Sequence, residues 1–196
     1  MKKNTAMAVT GDVGAGKSTV AGLFEALGGV RIDADLVVGE LWRTKEVADT
    51  AVGRWGGGIL DRSGRVMHKA VAGIIFENRA EYDWATSLLH PRVRKEIQRR
   101  VDLLGNEQWA VVEIPLLFES GVADWVTATI FVAASRETRL ERCRVRGWDE
   151  AEMTRRESFF LPSEERMALS DYVVQNDGDF EALKKQVNKI HDAAVK

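Results

Sequence analysis

Nine residues near the amino terminus, Gly11-Asp12-Val13-Gly14-Ala15-Gly16-Lys17-Ser18-Thr19, fit the pattern G-x-x-x-x-G-K-[ST] without a mismatch. The chemistry open to them is the holding of phosphate. Glycines let a backbone turn tightly and approach a ligand closely, because no Cβ intervenes. Successive N–H groups then point inward at a helix N-terminus and form a nest for an anion. Lys17 is long enough to reach the β- and γ-phosphates of a nucleoside triphosphate, and the Ser18 hydroxyl suits Mg²⁺. Gly11, Gly14, Ala15, Gly16, Lys17, Ser18 and Thr19 are therefore the candidate nucleotide-binding residues. The bland alternative is an ordinary glycine turn.

The elements around the loop argue against that alternative. Ala6-Met7-Ala8-Val9-Thr10 is a short apolar run that reads as a buried strand, and Thr19 to Leu27 reads as a helix closed by Gly28-Gly29. Further strands are expected at Val30-Arg31-Ile32, Trp109 to Glu113, Val126 to Ala133 and Asp171 to Val174. Between about Leu36 and Leu104 the strand signals disappear. Helices are expected there at Met67–Phe76 and Glu81–Leu89, with a restart at Pro91 after His90, interrupted by Gly56-Gly57-Gly58 and a turn at Asp61–Gly64. So much helix between two strands exceeds one crossover and reads as an inserted substrate lobe.

Several polar residues stand where such a core would use them. Strand two ends at Asp33-Ala34-Asp35, and carboxyl ends of parallel strands face the ligand crevice. Asp35 reads as the N-cap of the next helix and Asp33 as the functional carboxylate. Strand three ends in Glu113, the Walker-B position, where a carboxylate holds Mg²⁺ directly or through water. Arg139, Arg142 and Arg146 recur at spacings of three and four, and Arg155 and Arg156 follow. That pattern fits either a lid that clamps phosphoryl charge or a solvated helix laced with Glu137 and Glu141. Arg92, Arg94, Lys95, Arg99 and Arg100 read either as a solvated face or as attraction for a polyphosphate.

The totals exclude much. Lys and Arg number 28 against 30 Asp and Glu, a net charge of −2, which gives no case for nucleic acid or an anionic membrane. One cysteine, Cys143, allows no internal disulfide and fits a reducing compartment. There is no signal-peptide pattern and no apolar run of about 18 residues. His68, His90 and His191 have no metal-ligand spacing. The expectation is a cytoplasmic protein, a monomer in preference to an oligomer, with 196 residues sufficing for one α/β domain and a small lobe.

Taken together, Thr10-Gly11 to Ser18, Asp33-Ala34-Asp35, His90-Pro91, Pro115-Leu116-Leu117-Phe118-Glu119-Ser120-Gly121, Arg142 with Arg146, and Asp171-Tyr172-Val173-Val174 with Asn176 and Gly178 resemble the dephospho-CoA kinase family over nearly the whole chain. The resemblance implies an α/β P-loop NTPase fold, nucleoside-monophosphate-kinase-like. Its parallel five-stranded sheet would be flanked by helices, with a helical CoA-binding insertion and an arginine-rich lid. Its core would span 1–35 and 107–196, its acceptor-binding insertion 36–106 and its lid 136–160. It implies ATP and dephospho-CoA as substrates, with Mg²⁺. Asp33 matches the family's catalytic base, Lys17 and the loop its phosphate site, and Arg142 and Arg146 its lid arginines. Asn176 and Gly178 match its segment near the adenine, and His90 falls in its substrate lobe. Ser18 and Glu113 would hold the metal. The sequence departs from the family's usual residues at Asp12 (Gly), Met67-His68 (Asp-Arg), Glu113 (Asp), Phe160 (Gln) and Arg166 (Lys). The methylene that distinguishes Glu113 from Asp moves its carboxylate by about 1.5 Å. Two other readings stand beside this one: a kinase for a nucleoside monophosphate or another small molecule, and a nucleotide-binding regulator without turnover.

Overall fold

The computed structural model describes residues 5–105 and 107–195. Its five strands are β1 (Ala6–Gly11), β2 (Val30–Asp33), β3 (Ala110–Glu113), β4 (Ala128–Ala133) and β5 (Tyr172–Gln175). They form one sheet in the order β2-β3-β1-β4-β5, and every pairing is parallel. β1, β3 and β4 are buried along their whole length, as strands covered on both faces must be. Their sequences are accordingly continuous apolar runs rather than alternating ones.

The order explains where a ligand crevice opens. After β1 the chain moves toward the β2 edge, and every later connection moves the other way. The direction reverses at β1, and ligands of open parallel sheets bind beyond the carboxyl ends of strands at such a point. The residue following β1 begins the glycine loop. Helix α1 (Lys17–Ala26) follows it and buries Val20, Ala21 and Phe24 on the sheet. The Phe24 ring meets the Trp109 edge at 6.2 Å with planes perpendicular. Gly28 closes α1 at φ +98°, its N–H donating to the Glu25 carbonyl at 2.9 Å.

The other core helices start on caps that their sequences supply. Ser135, Asp149 and Asp179 accept the N–H of the third residue beyond and open α6 (Arg136–Val145), α7 (Glu150–Glu157) and α9 (Phe180–Ala194). The short α8 (Ser163–Ala168) lies between α7 and β5. Asp171, just before β5, accepts the Thr129 N–H and hydroxyl at 2.8 and 2.7 Å and donates its own N–H to the Thr129 hydroxyl at 2.9 Å. It ties the two strands together at their start.

The chain divides into two compact units. One holds the sheet and comprises the residues before Ala34 and after Ile97; the other is Ala34–Ile97. The second contains α2 (Ala34–Leu41), α3 (Lys45–Trp55), a 3₁₀ turn at Gly57–Ile59, α4 (His68–Ile75) and most of α5 (Arg79–Asp102). Trp55 stacks edge-on against Trp84 at 4.8 Å, and its indole N–H donates to Glu81, which also accepts two bonds from Arg54. Two expectations are corrected here. Helix α2 starts at Ala34, so Asp35 lies in its first turn instead of capping it. Pro91 does not start a helix: it sits inside the continuous α5. Burial of Tyr82, Ala85, Leu89, Val93 and Ile97 along one face holds that helix through the missing N–H. Among the described residues no helix is long and apolar enough to cross a membrane.

Replacing Asp171 with Ala removes the two bonds that its carboxylate accepts from Thr129. It is expected to lower unfolding stability by about 1–3 kcal/mol, as measured by urea denaturation. His90 titrates below its ordinary 6.5, first because burial disfavours the charged ring and second because Arg94 repels it. The unfolded chain then takes up this proton before the folded one does. Stability falls as the pH drops below about 6.5, toward the lower value of the folded protein. His90→Gln removes that part of a melting-temperature profile between pH 7 and 5.

Candidate functional site

The loop's shape follows from contacts that leave no room for side chains. A Cβ on Gly11, at φ +147°, would lie 2.3 Å from the Val132 carbonyl oxygen of the neighbouring strand. One on Gly16, at φ +94°, would lie 2.3 Å from the Asn176 amide nitrogen. Gly16 is also the residue preceding α1, so its left-handed conformation turns the loop into the helix.

The carbonyls of the loop are held from behind. Lys17 Nζ donates to the Gly11 and Asp12 carbonyls at 3.1 and 3.0 Å. The Arg139 guanidinium donates to the Val13 carbonyl at 3.3 Å. The Arg142 guanidinium and the Asn176 amide donate to the Ala15 carbonyl at 3.1 and 2.7 Å. Arg142 also reaches the Asn176 carbonyl at 2.8 Å, joining α6 to the end of β5 across the loop. These bonds, with the Ala15 N–H donating to the Asp12 carbonyl at 3.2 Å, fix the peptide planes of the loop.

Beside the loop lies a cleft of about 450 Å³ lined by Gly14, Gly16, Thr19, Arg142, Val145, Arg146, Asn176, Gly178, Phe180 and Leu183. Many of the residues singled out in the sequence thus meet on one surface. Arg146, exposed at the end of α6, and Arg142, half-buried, line it. Arg139 does not. It is buried, pairs with Glu157 of α7 and belongs to the framework. Arg139, Arg142 and Arg146 therefore divide between framework and cleft, although their spacing aligns them along α6 and its C-cap.

Asp33 and Glu113 are level in the sheet: β2 and β3 pair with Asp33 opposite Glu113, and β1 puts Val9 opposite Glu113 from the other side. The Glu113 carboxylate is buried. It accepts the Ser18 hydroxyl on one oxygen at 2.8 Å and the Arg31 guanidinium on the other at 2.9 Å. Arg31 was not singled out in the sequence, since alternation along so short a strand gives no sign of it. A hydroxyl and a carboxylate side by side are oxygen donors of the kind Mg²⁺ takes, together with phosphate oxygens and water. Among the described residues no group of three or more His, Cys, Asp or Glu side chains is placed to hold a metal by itself.

The sequence also left Asp12, Phe160 and Arg166 as separate departures. The structure brings them together. The Arg166 guanidinium donates to an Asp12 carboxylate oxygen at 2.5 Å and lies 5.1 Å from the Phe160 ring centre and 5.3 Å from that of Phe131. Glu119, the acid of Pro115–Gly121, accepts the Leu161 N–H at 2.8 Å and so anchors the segment that carries Phe160. His90 lies in the helical unit, half-buried within α5.

Comparison with known proteins agrees with this architecture. The dephospho-CoA kinase family model matches residues 5–182. A dephospho-CoA kinase of Aquifex aeolicus is 34% identical over 185 residues, covering 94% of each chain. One of Gloeobacter violaceus is 35% identical, covering 95% of this chain and 91% of the relative. Among solved structures, a Thermus thermophilus protein is 28% identical with a TM-score of 0.85 over all of both chains. A Campylobacter jejuni dephospho-CoA kinase, at 23% identity and a TM-score of 0.70 over 96% of each, shares the fold. By the extent of these matches and the motifs that carry them, the chain belongs to the dephospho-CoA kinase family.

Proposed function

We infer that the protein is an ATP-dependent kinase that moves the γ-phosphoryl group of ATP to the ribose 3′-hydroxyl of dephospho-CoA, giving CoA and ADP. The observation that carries the reading is the alignment of Asp33 with Glu113 at the sheet's carboxyl edge, where Glu113 already holds Ser18 of the phosphate loop. Phosphoryl transfer asks a protein for positioning and charge stabilisation more than for covalent chemistry. The loop from Gly11 to Thr19, with Lys17, supplies the phosphate cradle. Arg142 and Arg146 add positive charge from α6, acting as the lid. Asn176 and Gly178, on the same cleft, lie by the adenine. Asp33 orients the acceptor hydroxyl and takes its proton as the bond to phosphorus forms. Acceptor recognition falls to the helical unit, with His90 as its proposed polar contact; burial and then Arg94 disfavour the charged form of the ring.

Ser18 and Glu113 are the residues that would hold Mg²⁺, and when bound the ion neutralises charge on the β- and γ-phosphate oxygens. The Arg31 contact matters here too. It fixes one oxygen of Glu113 and leaves the carboxylate turned toward Ser18.

Coupled measurement of ADP release tests the assignment. Dephospho-CoA is expected to stimulate turnover, and AMP, CMP and pantetheine are not. Stimulation by a nucleoside monophosphate alone would point to a different kinase, and no stimulation by any acceptor to a regulator. Asp33→Asn is expected to lower kcat by about 10²–10⁴-fold with ATP affinity changed little. An equal loss of both would remove the base assignment. Lys17→Ala is expected to abolish ATP binding and turnover together, as read by calorimetry and the same assay.

A further inference from the structure

The loop that is to hold a polyphosphate carries a carboxylate of its own. Asp12 is its second residue, and its backbone carbonyl is one of the two on which Lys17 rests. An uncompensated charge there, 5% exposed, would act on a bound triphosphate through protein rather than through water. The structure compensates it. Arg166 is the largest fully buried side chain among the described residues, 2% exposed, and each part of its guanidinium has a partner. Nη2 donates to Asp12 Oδ1 at 2.5 Å, Nη1 to the Gly11 carbonyl at 3.3 Å and Nε to the Leu161 carbonyl at 3.0 Å. The Ser163 hydroxyl donates to the same Asp12 oxygen at 2.5 Å. Arg139 Nε stands 4.0 Å from the other oxygen. The rings of Phe131 and Phe160 lie against the guanidinium and keep water from it.

We propose that Arg166 is a positioning residue for ATP, which cancels the charge of Asp12 and so sets the affinity of the phosphate loop without touching the nucleotide. Almost wholly buried, it has no surface to offer a ligand. What it controls is the sign of the field at the loop. A merely structural Arg166 would hold α8 in place and leave ATP affinity in the folded protein alone. The inference rests on the reading that this loop binds ATP, and the two are separable by experiment.

Calorimetric titration of the full chain with ATP and Mg²⁺, without acceptor, tests it, alongside thermal unfolding of each variant without nucleotide. Arg166→Met removes the nearest counter-charge of Asp12 and leaves only Arg139, which Glu157 also engages, and the dissociation constant for ATP is expected to rise at least about tenfold in protein that remains folded. Adding Asp12→Asn to that variant removes the repelling charge and is expected to return affinity to within about threefold of the parent chain. Arg166→Lys keeps the charge but cannot serve three acceptors in a plane; it is expected to melt lower while binding ATP within about threefold of the parent. If Arg166→Met does not fold, the neutral Arg166→Gln replaces it, alone and combined with Asp12→Asn, with the same tenfold loss expected of the single variant and Arg166→Lys as the charge-keeping control. Recovery of binding in the double variant and its retention in Arg166→Lys support the pairing, and weak binding by a folded double variant overturns it. Unchanged affinity in folded Arg166→Met overturns it as well, while the parent chain still binds ATP. A parent chain that binds no ATP overturns the underlying reading and this inference with it.

Discussion

At Gly11 a central strand is pressed so closely against its neighbour that a single methyl group would strike the Val132 carbonyl. Much of the rest depends on that constraint. Because Gly11 pairs with Val132 to the last residue of β1, the chain leaves the sheet abruptly and the phosphate loop begins at the sheet's edge. Helix α1 then starts beside the ends of β2 and β3, which lets Ser18 reach Glu113 across 95 residues of sequence. Glycine is the condition for this closeness.

Close packing around the loop also buries charge, and charge in a low-dielectric region must be matched. Two carboxylates near the loop have each been given an arginine: Arg31 for Glu113 and Arg166 for Asp12. Such pairs add little net stability, since the desolvation of both members offsets their attraction. Breaking one member away costs about 3–5 kcal/mol, because a lone charge stays behind. Their effect is to make particular side-chain orientations obligatory. Glu113 must turn one oxygen to Ser18, and Asp12 must turn one to Ser163 and Arg166 of α8.

The features that were legible in the sequence are those carried by contiguous residues or by position along a strand. Gly11 to Thr19 declares itself by spacing, and Asp33 and Glu113 by standing at the ends of apolar runs. Their side-by-side register bears out the strand assignments. What was hidden depends on pairs far apart in the chain. Asp12 and Arg166 are separated by 154 residues, and neither carries a local sign of the other. The arginines of α6 show a common spacing, but which of them turns inward is decided by Glu157 and the Val13 carbonyl. Pro91 misled for the opposite reason: its local preference is strong, and burial of the α5 face outweighs it.

The strand order has a consequence for how the molecule is made. β1 is synthesised first, yet it does not pair with β2, its successor in the chain. Its partners begin at Ala110 and Ala128, more than a hundred residues later. Pairings of such long range are slow to form, because a long stretch of chain must be closed before any bond rewards it. During synthesis the apolar strand Ala6–Gly11 therefore waits without neighbours on either edge, while the helices of Ala34–Ile97, whose contacts are local, have all they need to fold. The loop between β1 and α1 acquires its shape only once β4 has followed.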